Sequence, residues 1–318
     1  MNRHSSHLVL STLMSIGLAA APSSVPDARA EAPPVVLGTF GTCGTSLGQI
    51  QGLWGIAAGP DGAVYVADWD GQRISKFDGA TGAFLTRWSV PDAFDVAVAP
   101  DGSVYVLCQA SARIDHFSAT GAPLGTFGSF GSGDGQFNNP FGIAIDPQGQ
   151  LFIADTGNHR IQRLSADGTF LGKWNQSPFA TEIAVDAFGN VFVIDEQVGR
   201  VYRYSTTGAV LGGWSNGGPS GTPIAINYGL AVDPAGSVYL VAADRWIEKY
   251  TPSGAFLLRW GDGGTEPGNF RLAMTITIDP QGQVYVSDRT LCRVTKFGFN
   301  PPVPTLPISW GKVKAAYR

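Results

Sequence analysis

The sequence predicts an all-β fold, a six-bladed β-propeller with four-stranded antiparallel blades, and three observations lead to it. Residues 139–175 contain four short runs in which apolar and polar residues alternate, a pattern that is typical of strands. A turn glycine followed by such a run occurs six times along the chain, at spacings of 40, 47, 40, 47 and 46 residues. One four-stranded sheet cannot bury both of its faces, so six copies favour a ring of packed sheets.

The first turn of each copy has a sequence pattern of its own. The segment Asp-Pro-Gln-Gly at residues 146–149 fits a type I turn, because Asp favours its first position, Pro its second and Gly its fourth. Each copy continues with a run such as AVYVAD or QLFIAD, whose β-branched and aromatic residues predict a strand. The turn glycine is found in every copy: Gly62, Gly102, Gly149, Gly189, Gly236 and Gly282.

The repeated unit also resembles a known family, the NHL repeat. The sequence DTGNHRIQRL has Asn158 and His159 where that family has its namesake residues, and the Gly-rich loop 128–140 resembles the family's connection into a blade. The resemblance covers about residues 35–299 and implies six blades around a central channel. It implies no reaction by itself, because function resides in sites rather than in folds.

The first part of the chain predicts export. Residues 1–30 combine a short polar start, an apolar run and a small-x-small sequence that predicts cleavage after Ala30, which together are typical of a signal peptide. The apolar run is too short for a membrane span, although an uncleaved anchor is the alternative. No later stretch is long and apolar enough to cross a bilayer. We therefore expect a secreted or periplasmic protein whose propeller comprises residues 31–299.

The two ends of the propeller are expected to meet in one blade. Residues 35–41, VVLGTFG, resemble the fourth strand of a copy but precede any complete copy, whereas the sixth copy lacks its own fourth strand. The N-terminal strand is therefore predicted to complete the last blade and remove an open edge. The alternative places residues 308–312 there. Residues 300–318 form a Pro-rich linker and a basic, aromatic tail, interpreted as a frayed terminus, an extra strand, or a sorting or docking segment.

Three cysteines bear on this closure. Cys43 follows the closing strand, and Cys292 lies in the loop between the second and third strands of the sixth copy, so both should lie on one face. A Cys43–Cys292 disulfide is therefore predicted, which an oxidising compartment permits, and three free thiols are the alternative. Cys108 replaces an acidic residue at a strand end and is expected to be buried.

An acidic residue and an arginine also recur around one hairpin loop. They are interpreted as an ion pair that pins this loop, and a ring of charged ligands is the alternative. Exposed pairs of this kind contribute about 0–1 kcal/mol each, so the loss of one is expected to be mild. The residues concerned are Asp68, Asp155, Asp195 and Asp288 at the strand ends, and Arg73, Arg113, Arg160, Arg200 and Arg293.

The candidate site lies where the copies differ, at the start of the first strands. Copies two and four have Asp95 and Glu182 where other copies have glycine or Thr275, and the preceding position is mostly aromatic. These two acids could bind Ca²⁺ through oxygen atoms, or a cationic ligand group, while the aromatic rings stack on an organic body. The alternative is that glycine relieves crowding and the acids are solvated. The predicted ligand-binding rim consists of Trp54, Phe94, Asp95, Phe141, Glu182 and Tyr228.

Charge and motifs exclude several function classes. The formal net charge is −4 and no Lys/Arg cluster precedes the tail, so nucleic-acid binding is not expected. Beyond the first thirty residues the histidines are His116 and His159, which counts against a three-histidine zinc site and the amidating-lyase branch of six-bladed propellers. Neither a phosphate-binding loop nor a CxxC pair occurs.

The sequence therefore favours a binding module over an enzyme. Its expected ligand is a protein, peptide or carbohydrate, bound on the face that carries the loops between second and third strands. The alternative is a metal-dependent, lactonase-like hydrolase or a lyase at the channel mouth, for which Asp95, Glu182 and Asn227 could imitate the acids and asparagines of six-bladed lactonases.

Overall fold

Six antiparallel sheets of four strands each arise from the six copies, which confirms the predicted fold class. The protein is seen in a computed structural model that describes residues 31–175, 179–215, 229–242 and 245–299. The predicted signal peptide and C-terminal tail, together with Asn227 of the lactonase-like set, lie outside the described residues.

In blades 1 to 5 the strands follow one another in chain order from the channel outward, and in blade 6 the N-terminal strand is the outermost. Blades 1 to 3 consist of β2 (Leu53–Ala58), β3 (Ala63–Asp68), β4 (Arg73–Asp78), β5 (Phe84–Ser89); β6 (Ala93–Val98), β7 (Val104–Cys108), β8 (Arg113–Phe117), β9 (Pro123–Phe127); and β10 (Gly142–Ile145), β11 (Leu151–Asp155), β12 (Arg160–Leu164), β13 (Phe170–Trp174). Blades 4 to 6 consist of β14 (Ala180–Val185), β15 (Val191–Asp195), β16 (Arg200–Tyr204), β17 (Val210–Ser215); β18 (Gly229–Val232), β19 (Val238–Ala242), β20 (Trp246–Tyr250), β21 (Phe256–Trp260); and β22 (Ala273–Ile278), β23 (Val284–Asp288), β24 (Arg293–Gly298) with β1 (Val35–Phe40).

The ring closes through the N-terminal strand, as predicted. The first strand of every blade contacts the first strands of both neighbours, and β22 contacts β2. Strand β1 pairs antiparallel with β24, with Val35 opposite Gly298 and Phe40 opposite Val294. This pairing supplies the fourth strand of blade 6, so its third strand is not left as an open edge.

Apolar side chains between neighbouring blades form the core, which consists of six clusters around the ring. One aromatic residue from each second strand is at most 1% exposed: Tyr65, Tyr105, Phe152, Phe192, Tyr239 and Tyr285. The predicted turn also forms, since Gly149 has a φ of 79° and its N–H donates to the carbonyl oxygen of Asp146. A side chain is strained at such a φ, which explains why glycine recurs there.

The disulfide between Cys43 and Cys292 is present, with an S–S distance of 2.05 Å. It lies beside the closing pair of strands, because Cys43 follows β1 and Cys292 directly precedes β24. Cys108 is fully buried, as expected, and its thiol contacts the carboxylate of Asp115 at 3.5 Å. Burial raises the pKa of the Cys108 thiol well above its ordinary value.

The expectation that the recurring Asp–Arg pairs are exposed is wrong for Asp68–Arg73 and Asp155–Arg160, whereas Arg113 pairs with Asp115 instead. Asp155 is fully buried, and its carboxylate accepts hydrogen bonds from Arg160 at 2.7 Å and from the backbone N–H of Asn138 at 2.7 Å. Arg160 also donates to the carbonyl oxygens of Ser132, Gly133 and Gln136. The pair therefore binds the long loop between blades to the hairpin loop beneath it, and this loop removes the pair from water.

Candidate functional site

The first strands begin at the loop-bearing face, the face that carries the second-to-third-strand loops and the connections between blades. A cavity of about 20 Å³ lies there at the channel mouth, and we call it the mouth cavity. It contains all the described members of the predicted rim, whereas Tyr228 lies outside the described residues. Its lining consists of Trp54, Gly55, Phe94, Asp95, Phe141, Thr181, Glu182, Glu196, Met274 and Thr275.

Aromatic side chains form the apolar part of this mouth. Phe94 stacks on Trp54 with ring centroids 4.7 Å apart, and its ring also meets Phe141 at 5.4 Å and Trp69 at 5.4 Å, edge to face. The guanidinium of Arg289 stands 4.6 Å from the centroid of the Trp54 ring. Because Phe94 is only 6% exposed, it acts as the centre of the cluster rather than as an exposed binding surface.

Asp95 connects two blades through its carboxylate. One oxygen accepts a hydrogen bond from the backbone N–H of Val96 at 2.8 Å, and the other accepts from Ile143 of blade 3 at 3.0 Å. Burial nevertheless raises the pKa of Asp95 to about 7, because the loss of hydration outweighs these two hydrogen bonds. This carboxyl group therefore changes its protonation state near neutral pH.

Two glutamates share the mouth cavity with Asp95. Burial raises the pKa of Glu182 well above its ordinary value, and the nearby carboxylates of Asp95 and Glu196 raise it further. Burial also raises the pKa of Glu196. Thr181, which is 3% exposed, lies close enough to Glu196 for its hydroxyl to lower the pKa of that carboxyl group, although the contact does not have the geometry of an ordinary hydrogen bond.

A comparison with protein families agrees with this architecture. The family model described as NHL repeat matches residues 51–77 and 137–164, which span the first three strands of blades 1 and 3. The six four-stranded blades of the ring agree with an NHL-repeat propeller over the remaining copies. The chain is an NHL-repeat β-propeller.

Solved structures share the fold of this NHL-repeat propeller. A streptogramin B lyase has 18% identity and a TM-score of 0.60, covering 83% of this chain and 97% of its own. A structural-genomics protein from Bacteroides thetaiotaomicron has 16% identity and a TM-score of 0.64, covering 83% and 75%. A catalytically inactive histidine-to-alanine variant of virginiamycin B lyase from Staphylococcus aureus, solved with quinupristin, has 14% identity and a TM-score of 0.56, covering 84% and 99%.

At these identities the similarity shows a common fold, and the activity of the other proteins is not assigned to this propeller. No curated protein matches the sequence. Within the described ranges, no helix is long and apolar enough to span a membrane.

The alternation of glycine and polar residues around the NHL-repeat propeller has a packing cause. A Cβ atom on Gly55 would lie 2.3 Å from an Asp95 carboxylate oxygen, and one on Gly142 would lie 2.8 Å from the carbonyl oxygen of Thr181. A Cβ atom on Gly229 would lie 2.8 Å from the Cα atom of Thr275. Each glycine therefore makes room for the first strand of the next blade, which agrees with the crowding alternative for the glycines and leaves the role of the acids open.

Sequence reasoning missed a second set of mouth residues. Trp69, Glu196 and Arg289 each follow the residue that ends the second strand of their blade, and all three reach the mouth. The sequence does contain a signal for these residues: the position directly after the second strand differs in every copy, whereas the residues around it recur. The six residues in chain order are Trp69, Gln109, Thr156, Glu196, Ala243 and Arg289.

The described part of the propeller does not contain a set of ligands for the predicted calcium ion. Among those residues, no group of three or more His, Cys, Asp or Glu side chains could hold a metal ion. Ca²⁺ requires six to eight oxygen ligands, whereas apolar rings make up much of the mouth cavity.

The opposite end of the channel is wider, but its aspartate side chains stabilise turns. A cavity of about 500 Å³ opens there among the first turns of the blades. Asp146 and Asp186 accept hydrogen bonds from the backbone of their own turns, and Asp233 and Asp279 do the same while also accepting from a tyrosine hydroxyl. These carboxylates stabilise turns, so the mouth cavity remains the better candidate site.

Proposed function

We propose that this NHL-repeat propeller is an exported binding module that recognises a polypeptide at the loop-bearing face. The observation that carries the proposal is the mouth cavity itself, where aromatic rings surround partly buried acidic residues at the position where the six copies differ. Ligand sites are commonly apolar concave surfaces with a few polar groups that orient the ligand.

The surroundings of the mouth favour a polypeptide over a carbohydrate. The Trp54 ring contacts both Phe94 and Arg289, which leaves little of it free to stack on a sugar. Leu47 and Phe130, in the loops between blades on the same face, are 68% and 74% exposed. Exposed apolar side chains around a site are typical of protein interaction surfaces.

Export is supported by the chemistry of the ring closure. The Cys43–Cys292 disulfide joins the two ends of the propeller and persists in an oxidising compartment. The apolar N-terminal segment of the sequence is consistent with this location.

The test compares peptide and carbohydrate ligands directly. The mature protein is applied to a peptide array and a glycan array, and hits are measured by calorimetry with Trp69→Ala and Arg289→Ala variants. We expect peptide hits whose affinity falls at least about tenfold in one of these variants. Phe188→Ala is the matched control, because Phe188 is 80% exposed but lies in a first turn on the opposite face. Glycan hits alone, or equal losses in the control, would contradict the proposal.

A lyase is the second candidate, since the fold resembles that of streptogramin B lyase. The related virginiamycin B lyase is described as inactive when a histidine is replaced. Here the described histidines lie away from the mouth cavity, His116 on Tyr105 in blade 2 and His159 in a hairpin loop of blade 3. Incubation with quinupristin, followed by mass spectrometry, should show no conversion; a converted product would favour the lyase.

A further inference from the structure

We infer that the mouth cavity binds a primary ammonium group, carried by a lysine side chain or a polypeptide N-terminus. This inference rests on the proposed function and specifies which part of a polypeptide would be recognised. The size of the mouth cavity, its polar atoms, its charge and its aromatic walls support this inference.

The size of the mouth cavity limits the group that it can hold. Its volume of about 20 Å³ exceeds the roughly 10–15 Å³ that one water needs, so a small head group can enter. A primary ammonium group has this size, whereas a quaternary ammonium or a sugar ring is larger. The ligand therefore inserts one small head group, and the rest of it lies on the loop-bearing face.

Oxygen atoms predominate among the polar side-chain atoms of the cavity, beside one unpaired donor, the indole N–H of Trp54. Both Asp95 oxygens already accept a backbone N–H and can each accept one more donor. The hydroxyl of Thr181 lines the mouth cavity, is buried within a residue that is 3% exposed, and makes no hydrogen bond with a described residue. The carboxyl groups of Asp95, Glu182 and Glu196 line the same cavity. An ammonium group offers three N–H donors, which suits a hydroxyl oxygen and two carboxylates.

The acidic side chains of the cavity also favour a cationic ligand. None of the ion pairs formed within the described ranges includes Asp95, Glu182 or Glu196. Burial and mutual repulsion raise the pKa values of these carboxyl groups, so their ionised forms are disfavoured in the empty cavity. A bound cation would favour the ionised forms, so its binding should be coupled to proton release.

An ammonium group fits this environment better than a metal ion does. Among the described residues, no three acidic, histidine or cysteine side chains are placed so that they could hold one metal ion, and Ca²⁺ takes oxygen ligands at about 2.3–2.6 Å. The Trp54, Phe94 and Phe141 rings cannot coordinate Ca²⁺, but the faces of aromatic rings attract organic cations. Arg289, which stands over Trp54, already shows this attraction at the rim.

The test uses small probes and a set of variants at pH 8, where the carboxyl groups are more fully ionised. The probes are n-butylamine, a lysine tripeptide blocked at both termini, the same peptide with an acetylated lysine, and a tripeptide with a free N-terminus. We expect n-butylamine to bind, and the acetylated peptide to bind at least about tenfold more weakly than its parent, because a charge-assisted hydrogen bond is lost. The two unacetylated peptides distinguish a lysine side chain from an N-terminus.

Glu182→Gln and Thr181→Val should each weaken n-butylamine binding, the first by about tenfold or more. The matched control is Asp134→Asn, which removes a carboxylate from an exposed pair with Lys173 and should leave binding unchanged. Circular dichroism and thermal unfolding verify that each variant is folded, and calcium chloride and choline chloride serve as competing cations.

The outcomes separate the inference from the proposed function. Binding of peptides without any preference for the ammonium group would overturn the inference and leave the polypeptide module standing. Binding of n-butylamine without binding of any peptide would support the ammonium site and overturn the polypeptide ligand. If nothing binds, both are overturned, and tighter binding of Ca²⁺ or choline also overturns the inference.

Discussion

The Cys43–Cys292 disulfide should contribute strongly to the stability of the ring. Its two residues are 249 positions apart, so it joins the ends of nearly the whole propeller. In the chain-entropy treatment, a loop of this length lowers the entropy of the unfolded chain by an amount worth about 5 kcal/mol at 25 °C. Removal of native disulfides typically costs about 2–5 kcal/mol, so this bond should lie near the upper end.

The perturbation is the double variant Cys43→Ala, Cys292→Ala. Cys292 has a φ of 48°, and alanine is no more strained there than cysteine, so the substitution adds no new backbone cost. The melting temperature should fall by about 10 °C, at about 2 °C per kcal/mol for a domain of this size. Urea unfolding and differential scanning calorimetry measure the change.

The control for this experiment is the reductant. Wild-type protein treated with a phosphine reductant should unfold like the double variant, and the variant itself should not respond. Hydrogen exchange should increase first in β1 and β24, which the disulfide holds together. Equal melting temperatures for oxidised wild type and variant would refute the reasoning and show that β1–β24 pairing alone closes the ring.

Three further predictions concern single residues. Asp155→Ala should cost about 3–5 kcal/mol, because it leaves a buried arginine without its partner, and urea unfolding should show little change for the exposed control Asp134→Ala. Gly142→Ala should lower the melting temperature, since its Cβ would lie 2.8 Å from a backbone oxygen of blade 4, whereas Gly125→Ala has nothing within 4 Å and should not; equal effects would contradict this account. Burial raises the pKa of Asp95 from its ordinary 3.8 to about 7, so the folded state keeps a proton that the unfolded chain releases, and this group lowers the free energy of unfolding as the pH rises between these values. Calorimetry from pH 4 to pH 8 should therefore show a shallower decline for Asp95→Asn than for wild type, and parallel profiles would argue against a raised pKa.

Much of the fold was predictable because its signals are local and repeated. The turn at Asp146 and Gly149, the alternation within each strand and the spacing of the copies agree with one another. The incomplete sixth copy and the extra strand at residues 35–41 together predicted how the ring closes, and the structure confirms it. The cysteines followed from the same topology, since both flank this closing strand.

The energetic role of the Asp–Arg pairs was not predictable in the same way. Their positions beside one hairpin loop were clear, but their burial depends on the long loop that precedes the blade. In blade 3 that loop supplies three carbonyl oxygens to Arg160 and a backbone N–H to Asp155. Sequence patterns within one hairpin carry no information about which distant loop covers it.

The sequence by itself determined the number of blades and the strand order within them, because both depend on periodicity. It predicted the closing strand and the disulfide from the order of elements along the chain, and the structure decided both against their alternatives. The tertiary structure alone decided which side chains share the mouth cavity, and it added Thr181 and Glu196 to Asp95 and Glu182. The physical reason is that the ring brings residues about a hundred positions apart into one cavity, where their combined loss of hydration changes the properties that each would have alone.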